Sequence, residues 1–384
     1  MTDSQDLNTL SNADFRTVLR SWIEANYPPE IRSPAKRLHL RDNWPWYKAL
    51  SEKGWLCPGW PQEYGGMGLS PEKQVVMTEE FERHGCARLN DHGITMLGPL
   101  LIRYGSEAQK QHFLPKMISG EHIWCQGYSE PGAGSDLASL RTKAERAGDE
   151  WIVNGQKIWT TMANDANWIF MLVRTASTAR KQDGISFLLV PMDSPGVTVR
   201  PILNLEMHDE FCEVFFDNVR VPVDNLVGEV NQGWSMAKAL LGFERIFIGS
   251  PRQADYAFSR LLELGRFYSL QDAPAFRERC STLFLDLENH KALFAEYLEL
   301  ISRGQQPGPD VSLLKINQSE LFRRITEYML ELTAEMGGIV DNLHQDSALN
   351  PSAQFLQARA ATIYAGSSEI QRNIISKTVL HLPS

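Results

Sequence analysis

The run Trp151-Ile152-Val153-Asn154-Gly155-Gln156-Lys157-Ile158-Trp159-Thr160-Thr161 lies where helical spacing has stopped. Its apolar residues come in short, β-rich groups next to Asn154-Gly155, a turn-forming pair. Similar runs follow at Trp168 to Val173 and Ile185 to Val190. Further on, Val197 and Val199 alternate with Thr198 and Arg200, and Val219 and Val221 alternate with Asn218 and Arg220. Asn154-Gly155 and Ser194-Pro195-Gly196 read as turns between strands. From Trp124 to about Gly228 the chain therefore predicts an antiparallel sheet of about 100 residues, an ordinary size for one domain.

On both sides the period is helical. Phe15, Val18, Leu19, Trp22 and Ile23 follow the spacing of one helix face, with Asn12 as the expected cap and Pro28-Pro29 beyond the end. Ser70-Pro71-Glu72 is a start signal and Gly85 a stop; Ser106 and Gly120 bracket another helix. After Gly233 helical spacing returns and persists. Helices, then sheet, then helices indicate an α+β chain and not a doubly wound one. The expected domains are 1–123, 124–228 and 229–384.

The 384 residues are 43% hydrophobic and 22% charged, a globular composition, with ten Trp and 17 Phe for a core. A formal charge of −9 disfavours a nucleic-acid surface. Five widely spaced cysteines form no CxxC pair, the nine histidines no ligand spacing, so no metal is expected. No apolar run is long enough to span a bilayer, and the first residues lack an apolar signal core. A cytoplasmic location is the expectation.

Four places could carry chemistry. Glu130-Pro131-Gly132-Ala133-Gly134-Ser135-Asp136 is a glycine-rich loop whose backbone could approach a phosphate or flat ring, although an ordinary turn is the simpler reading. Trp159-Thr160-Thr161 could stack on and hydrogen-bond a ring system; the simpler reading is a core Trp and solvated threonines. Glu244 shares a helix face with Met236, Leu240 and Phe247. A carboxylate on an apolar face gains basicity, while a structural ion pair with an arginine explains it equally well. Ile363 to Arg372 opens a last helix with Ser367 as cap and Gly366 before it, offering free N–H groups or simply a well-capped end.

In order and spacing these stretches resemble the acyl-CoA dehydrogenase family over essentially the whole chain. The resemblance is carried by Trp60-Pro61-Gln62-Glu63-Tyr64-Gly65-Gly66, Tyr128-Ser129-Glu130-Pro131 through Asp136, Asn154 to Thr161, Val219-Arg220-Val221-Pro222 with Asn225 to Glu229, and Ile363 to Arg372. It implies an N-terminal helical domain, a middle β domain and a C-terminal four-helix bundle, with FAD as cofactor and an acyl-CoA as substrate. By position it implies that Gln126, Gly127, Tyr128, Ser129, Trp159, Thr160 and Thr161 border the flavin. Ser135 would touch the pantetheine arm or flavin phosphates, and Arg245 the coenzyme A adenine. Gly337, Gly338, Gly366, Ser367 and Glu369 would contact the FAD tail, and the Ala365 N–H the thioester carbonyl.

Two departures shape the expected activity. Many relatives carry the catalytic glutamate just before the signature glycine, where this chain has Ala365. A second group carries it on the first bundle helix before an arginine, which is Glu244 here, so the resemblance makes Glu244 the expected base. The pattern with which relatives clamp a neighbour's FAD is absent from Leu270 to Ser281, and Ala334 replaces the usual glutamine before Gly337-Gly338. Such losses resemble dehydrogenases of steroid or dicarboxylate breakdown, some of which assemble with a related subunit. The resemblance implies α,β-dehydrogenation with an electron-transfer flavoprotein as acceptor, in a homo-oligomer or hetero-oligomer. The rivals are a flavin-poor or non-catalytic subunit and an acyl-CoA oxidase or flavin monooxygenase on the same fold.

Overall fold

The computed structural model describes residues 6–34, 36–89, 91–303, 305, 307–339, 341–343 and 349–383, with backbone alone for 241–247 and 302. The chain divides into two compact units, the first ending at Leu240 and the second beginning at Leu241.

The first unit opens with helices α1 (Asn12–Asn26), α2 (Leu40–Lys53), α3 (Pro71–His84), α4 (Gly98–Tyr104) and α5 (Glu107–Ser119). Ser11, not Asn12, caps α1: Ser11 is extended (φ −60°, ψ 157°) and its side chain accepts from the Asp14 N–H, whereas Asn12 is already helical. The other signals act where the sequence puts them. Ser70 caps α3 and Gly85 ends it in the left-handed region, while Ser106 and Gln109 form a reciprocal capping box on α5 before Gly120. Glu80 of α3 is buried and accepts hydrogen bonds from Arg16, Arg20 and Arg83, which fastens α1 to α3.

An eight-stranded sheet follows: β1 (Trp124–Gly127), β2 (Lys143–Ala147), β3 (Glu150–Thr161), β4 (Trp168–Arg174), β5 (Ile185–Pro191), β6 (Val197–Ile202), β7 (Phe211–Pro222) and β8 (Leu226–Val227). Its order is β6-β7-β3-β2-β4-β5-β8, with β1 added against β4. Two expectations need correction. The sheet is mixed and not wholly antiparallel, because β1 and β2 both run parallel to β4. Asn154-Gly155 is not a turn but a bulge inside β3. Gly155 takes φ +149°, and a Cβ there would meet Thr142 Cα at 2.6 Å, so the glycine answers to close backbone approach. The reversal from β2 to β3 occurs at Gly148, left-handed at φ +64°. Residues 169–173 of β4 and 187–190 of β5 are buried on both faces, which explains their continuous rather than alternating hydrophobicity.

A buried carboxylate helps join the sheet to the helices. Asp91 accepts from the Trp124 N–H at the start of β1 (3.1 Å), from the Gly93 N–H (2.8 Å) and from the Tyr47 hydroxyl of α2 (3.1 Å). Burial pushes its carboxyl up to about 7 against these three donors.

Helix α6 (Gly233–Ile248) leads out of the first unit. The second contains α7 (Arg252–Phe267), α8 (Pro274–Ser302), α9 (Ser312–Thr333), α10 (Pro351–Ala361) and α11 (Ser368–Ile374). Helices α7, α8, α10 and α11 all pack on α9. Their core includes Leu261, Leu264, Phe276, Leu287, Phe322, Ile325 and Met329. Gly265 lets α7 and α8 touch, since a Cβ there would lie 2.2 Å from Phe276 Cζ. The five cysteines are free thiols, and no described helix is long and apolar enough to cross a membrane.

The Glu80 cluster yields the first test. Burial alone would raise its carboxyl, but the three guanidinium groups outweigh burial and hold it near about 2. A folded value below the ordinary 4.5 means that its stabilisation is full above 4.5 and is lost as pH falls through about 2. Glu80→Gln should cost about 1–3 kcal/mol in urea unfolding at neutral pH and should flatten the acid limb of the melting profile.

Candidate functional site

In the first unit the residues expected at a flavin meet where β1 and β3 end. The strand register of β3 on β7 slips between Lys157 and Thr160, which lifts Ile158 and Trp159 out of the ladder. A bulge reverses which face each later residue occupies. The consequence is opposite to the simple reading of this trio: the Trp159 ring is 57% exposed, and Thr160 is buried. Trp159 is also left-handed (φ 59°), a conformation that a bulky residue keeps only when its surroundings enforce it. Its ring leans edge-on against Phe211. The hydroxyl of the next residue, Thr160, and the amide nitrogen of Gln126 on β1 are buried with no hydrogen-bond partner among the described residues. An exposed indole, a buried hydroxyl on the next residue and a buried, unpaired amide donor at the end of β1 suit a flat heterocycle with a polar edge.

The glycine-rich loop is anchored by a pair that the sequence reading left without a role. Lys157, 0% exposed on β3, donates to Glu130 at 2.8 Å and to the Tyr128 carbonyl at 3.3 Å. Glu130 also accepts from the Arg141 and Thr142 N–H groups at 2.6 and 2.9 Å. Burial pushes the Lys157 ammonium down to about 8 while Glu130 holds it up. The Glu130 carboxyl is raised by burial, but Lys157 and the backbone donors prevail and keep it below its ordinary value. The Ile158 N–H donates to the Ser129 carbonyl (2.9 Å), so residues 128–130 lie along β3. Gly132 and Gly134 face open space, and Ser135 is exposed. Gly127 is demanded by β4, since a Cβ there would meet Ile169 Cδ1 at 2.7 Å.

Three residues distant in sequence also converge: His39, His208 and Asp209. Both His39 nitrogens already face carboxylates, Asp165 at 3.0 Å and Asp209 at 2.9 Å, and the His208 Nε2 donates to the Arg37 carbonyl. Burial lowers the His39 value, but the two aspartates outweigh it and raise it overall. That is the pairing of an imidazolium, which ties residues 36–40 to the loops flanking the sheet.

In the second unit, Tyr364 to Ser367 form a loop between α10 and α11. Ala365 and Gly366 are both left-handed, at φ 52° and 85°, and Ser367 caps α11 by accepting from Ile370. The N–H groups of Ala365, Gly366 and Ser367 make no hydrogen bond among the described residues. Gln371 Nε2 donates to the carbonyls of Ala365 (3.0 Å) and Gly366 (3.3 Å). Under the loop lies Lys315 of α9, 0% exposed, its ammonium 6.0 Å from the centre of the Tyr364 ring. Glu369 is exposed, and the Ser367 hydroxyl is the main cause of its lowered carboxyl value. Gly337 and Gly338 end a short 3-10 turn (Ala334–Gly338), and the Ser352 hydroxyl donates to the Gly337 carbonyl. The side chains of Glu244 and Arg245 lie outside the described residues, on the helical backbone of α6.

The family descriptions "Acyl-CoA dehydrogenase, N-terminal domain", "middle domain" and "C-terminal domain" match residues 10–121, 125–219 and 231–380. The chain belongs to the acyl-CoA dehydrogenase family. It is 38% identical over 380 residues to acyl-CoA dehydrogenase IpdE1 of Mycobacterium tuberculosis, covering 96% of this chain and 97% of that one. Among solved structures it resembles the Tcur3481-Tcur3483 steroid ACAD (TM-score 0.88, 29% identity, 99% and 100% covered). It also resembles the ChsE4-ChsE5 complex of Mycobacterium tuberculosis (TM-score 0.78, 31% identity, both chains fully covered). It is therefore an oxidoreductase of the acyl-CoA dehydrogenase type. Such enzymes generally use FAD, and the Gln126 and Thr160 atoms, unpaired among the described residues, together with an exposed Trp159 fit that cofactor.

The clamp-poor stretch Leu270–Ser281 is occupied by its own unit. Phe276 is buried against Tyr328, and Arg279 makes a two-pronged pair with Glu331 (2.7 and 3.0 Å) over the Tyr328 ring.

The Lys157–Glu130 pair is expected to respond asymmetrically. Lys157→Met strands a buried carboxylate and should cost about 3–5 kcal/mol in urea unfolding. Adding Glu130→Gln should recover part of that loss, because the second change removes the stranded charge.

Proposed function

We propose that this enzyme oxidises the Cα–Cβ bond of an acyl-CoA thioester to the trans-2-enoyl thioester, with Glu244 as general base. The observation that carries the reading is the loop at 364–367. Its residue before Gly366 is an alanine, which cannot take a proton, while the N–H groups of residues 365–367, unpaired among the described residues, could donate to a carbonyl oxygen. The base must then come from another element. Glu244 is one residue before an arginine on α6, the helix whose Met236 and Leu240 are buried. A carboxylate in apolar surroundings binds a proton more strongly, as abstraction from carbon requires.

In this reading the Ala365 N–H holds the thioester carbonyl and favours the enolate charge that develops as the α proton leaves. The Glu244 carboxylate takes that proton. FAD, when bound, supplies the acceptor for the β hydrogen with its electron pair, and the double bond forms between the two carbons. Gln126, Gly127, Tyr128, Ser129, Trp159, Thr160 and Thr161 would hold its ring. Gly337, Gly338, Gly366, Ser367 and Glu369 would hold its tail. Ser135 and Arg245 would bind the coenzyme A portion, and an electron-transfer flavoprotein would reoxidise the enzyme.

The likeness to a steroid ACAD makes polycyclic acyl-CoA esters the first to try. Two similar structures bear the names of paired proteins, and here Phe276 and Arg279 are engaged within their own unit. Both points support assembly with a related subunit, which co-expression followed by native mass measurement would test.

Glu244→Gln should lower kcat by about 10²–10⁴ fold while the purified protein keeps its flavin spectrum. Full turnover in that variant would remove Glu244 from the mechanism. Anaerobic bleaching by a panel of straight-chain and polycyclic acyl-CoA esters identifies the acyl class.

A further inference from the structure

The loop 364–367 does not hold its shape by itself. Ala365 at φ 52° is in a region that costs a residue with a Cβ about 1–2 kcal/mol. Its hydrogen bonds to the rest of the chain are few. The Ile363 and Tyr364 N–H groups return to the Ala360 carbonyl, and the Ser368 N–H reaches the Thr362 carbonyl. Between these points, the hydrogen bonds that residues 365 and 366 make among the described residues come from a side chain on α11. Gln371 is fully buried, and its Nε2 meets both carbonyls at 3.0 and 3.3 Å. Two carbonyl acceptors at one end of an amide require the NH2 group there, so its orientation is unambiguous. Its backbone is fixed too, because the Gln371 N–H donates to the Ser367 carbonyl at 2.9 Å. With both carbonyls drawn toward α11, the N–H groups of residues 365–367 have no partner among the described residues.

We propose that Gln371 is a positioning residue for the reaction: by holding the Ala365 and Gly366 carbonyls it presents the loop's N–H groups to the thioester oxygen. This rests on the reading of Ala365 given under Proposed function. Gln371 touches neither substrate nor reacting atoms and acts through the loop. The contact is tight on the other side as well, since a Cβ on Gly366 would lie 2.5 Å from Gln371 Nε2. Gly366→Ala therefore disturbs the same contact from the loop.

The test is a double-substitution cycle on the flavin-loaded enzyme, using whichever ester of the panel bleaches the native flavin fastest. Gln371→Leu should lower kcat at least about tenfold with KM changed less than about threefold, because a bond to the thioester oxygen that strengthens as enolate charge develops acts mainly on kcat. Gln371→Glu, nearly the same shape but without the NH2 group, should behave alike and guards against a folding artefact; melting temperature is read for each. Gly366→Ala should also lower kcat, and the double variant should be no worse than the poorer single one. Unchanged kcat in both Gln371 variants, or losses that multiply in the double variant, overturns the inference while leaving the reaction intact if Glu244→Gln is still inactive. A loss confined to melting temperature also overturns it. A native enzyme whose flavin no ester bleaches removes the reaction reading, and the inference with it.

Discussion

The ion pair between Lys157 and Glu130 is the constraint on which the sheet half of the site depends. Two full charges lie out of water at 2.8 Å, and each helps the other stay charged there. Their arrangement does more than cancel. Glu130 has two backbone N–H groups at its oxygens, and Lys157 reaches the Tyr128 carbonyl, so the loop after β1 is held against β3. That contact sets where Tyr128 and Ser129 lie beside the bulge carrying Trp159. Nothing in it is chemistry on a substrate, yet the residues that would border a flavin take their places from it.

A comparable division of labour holds in the helical unit. The groups offered outward are backbone N–H groups on a loop with two left-handed residues. Those that decide the loop's shape lie beneath it. Gln371 ties down two carbonyls, and Lys315 places a buried charge under Tyr364, where burial pushes its ammonium down to about 8. Backbone donors are well suited to this work because they cannot rotate away. Their reliability depends on whatever fixes the carbonyls of the same peptide planes.

Much of the fold is legible from local signals, because those signals act locally. Ser70 and Gly85 begin and end α3, and Ser106 with Gly120 bracket α5, since a cap needs only neighbouring residues to work. The change of hydrophobic period at Trp124 marks the sheet for the same reason. What escaped is non-local. Asn154-Gly155 has the chemistry of a turn, but Thr142 on the adjoining segment makes it a bulge. The parallel placing of β1 against β4 is decided by pairing between residues 124–127 and 168–171. The second bulge of β3 inverted the expected burial of Trp159 and Thr160, since one extra residue moves each following side chain to the other face. His39 meets Asp165 and Asp209 only in three dimensions. Of the candidate site, the motifs drew attention to the segments around residues 126–136, 157–161 and 363–372, while the partners Lys157 and Gln371 carried no signal beyond their place within a motif.

The order of strands has a bearing on how the chain is made. Strand β3 finds its longest partner in β7, with Glu150 opposite Pro222 at one end and Thr161 opposite Phe211 at the other. The hairpin of β4 and β5 lies wholly between them in sequence. During synthesis, therefore, β3 leaves the ribosome with one backbone edge bare, and dozens of residues must follow before its neighbour emerges. The hairpin can close in the interval, but the outer edge of β3 stays open to stray pairing until residues 211–222 arrive to cover it.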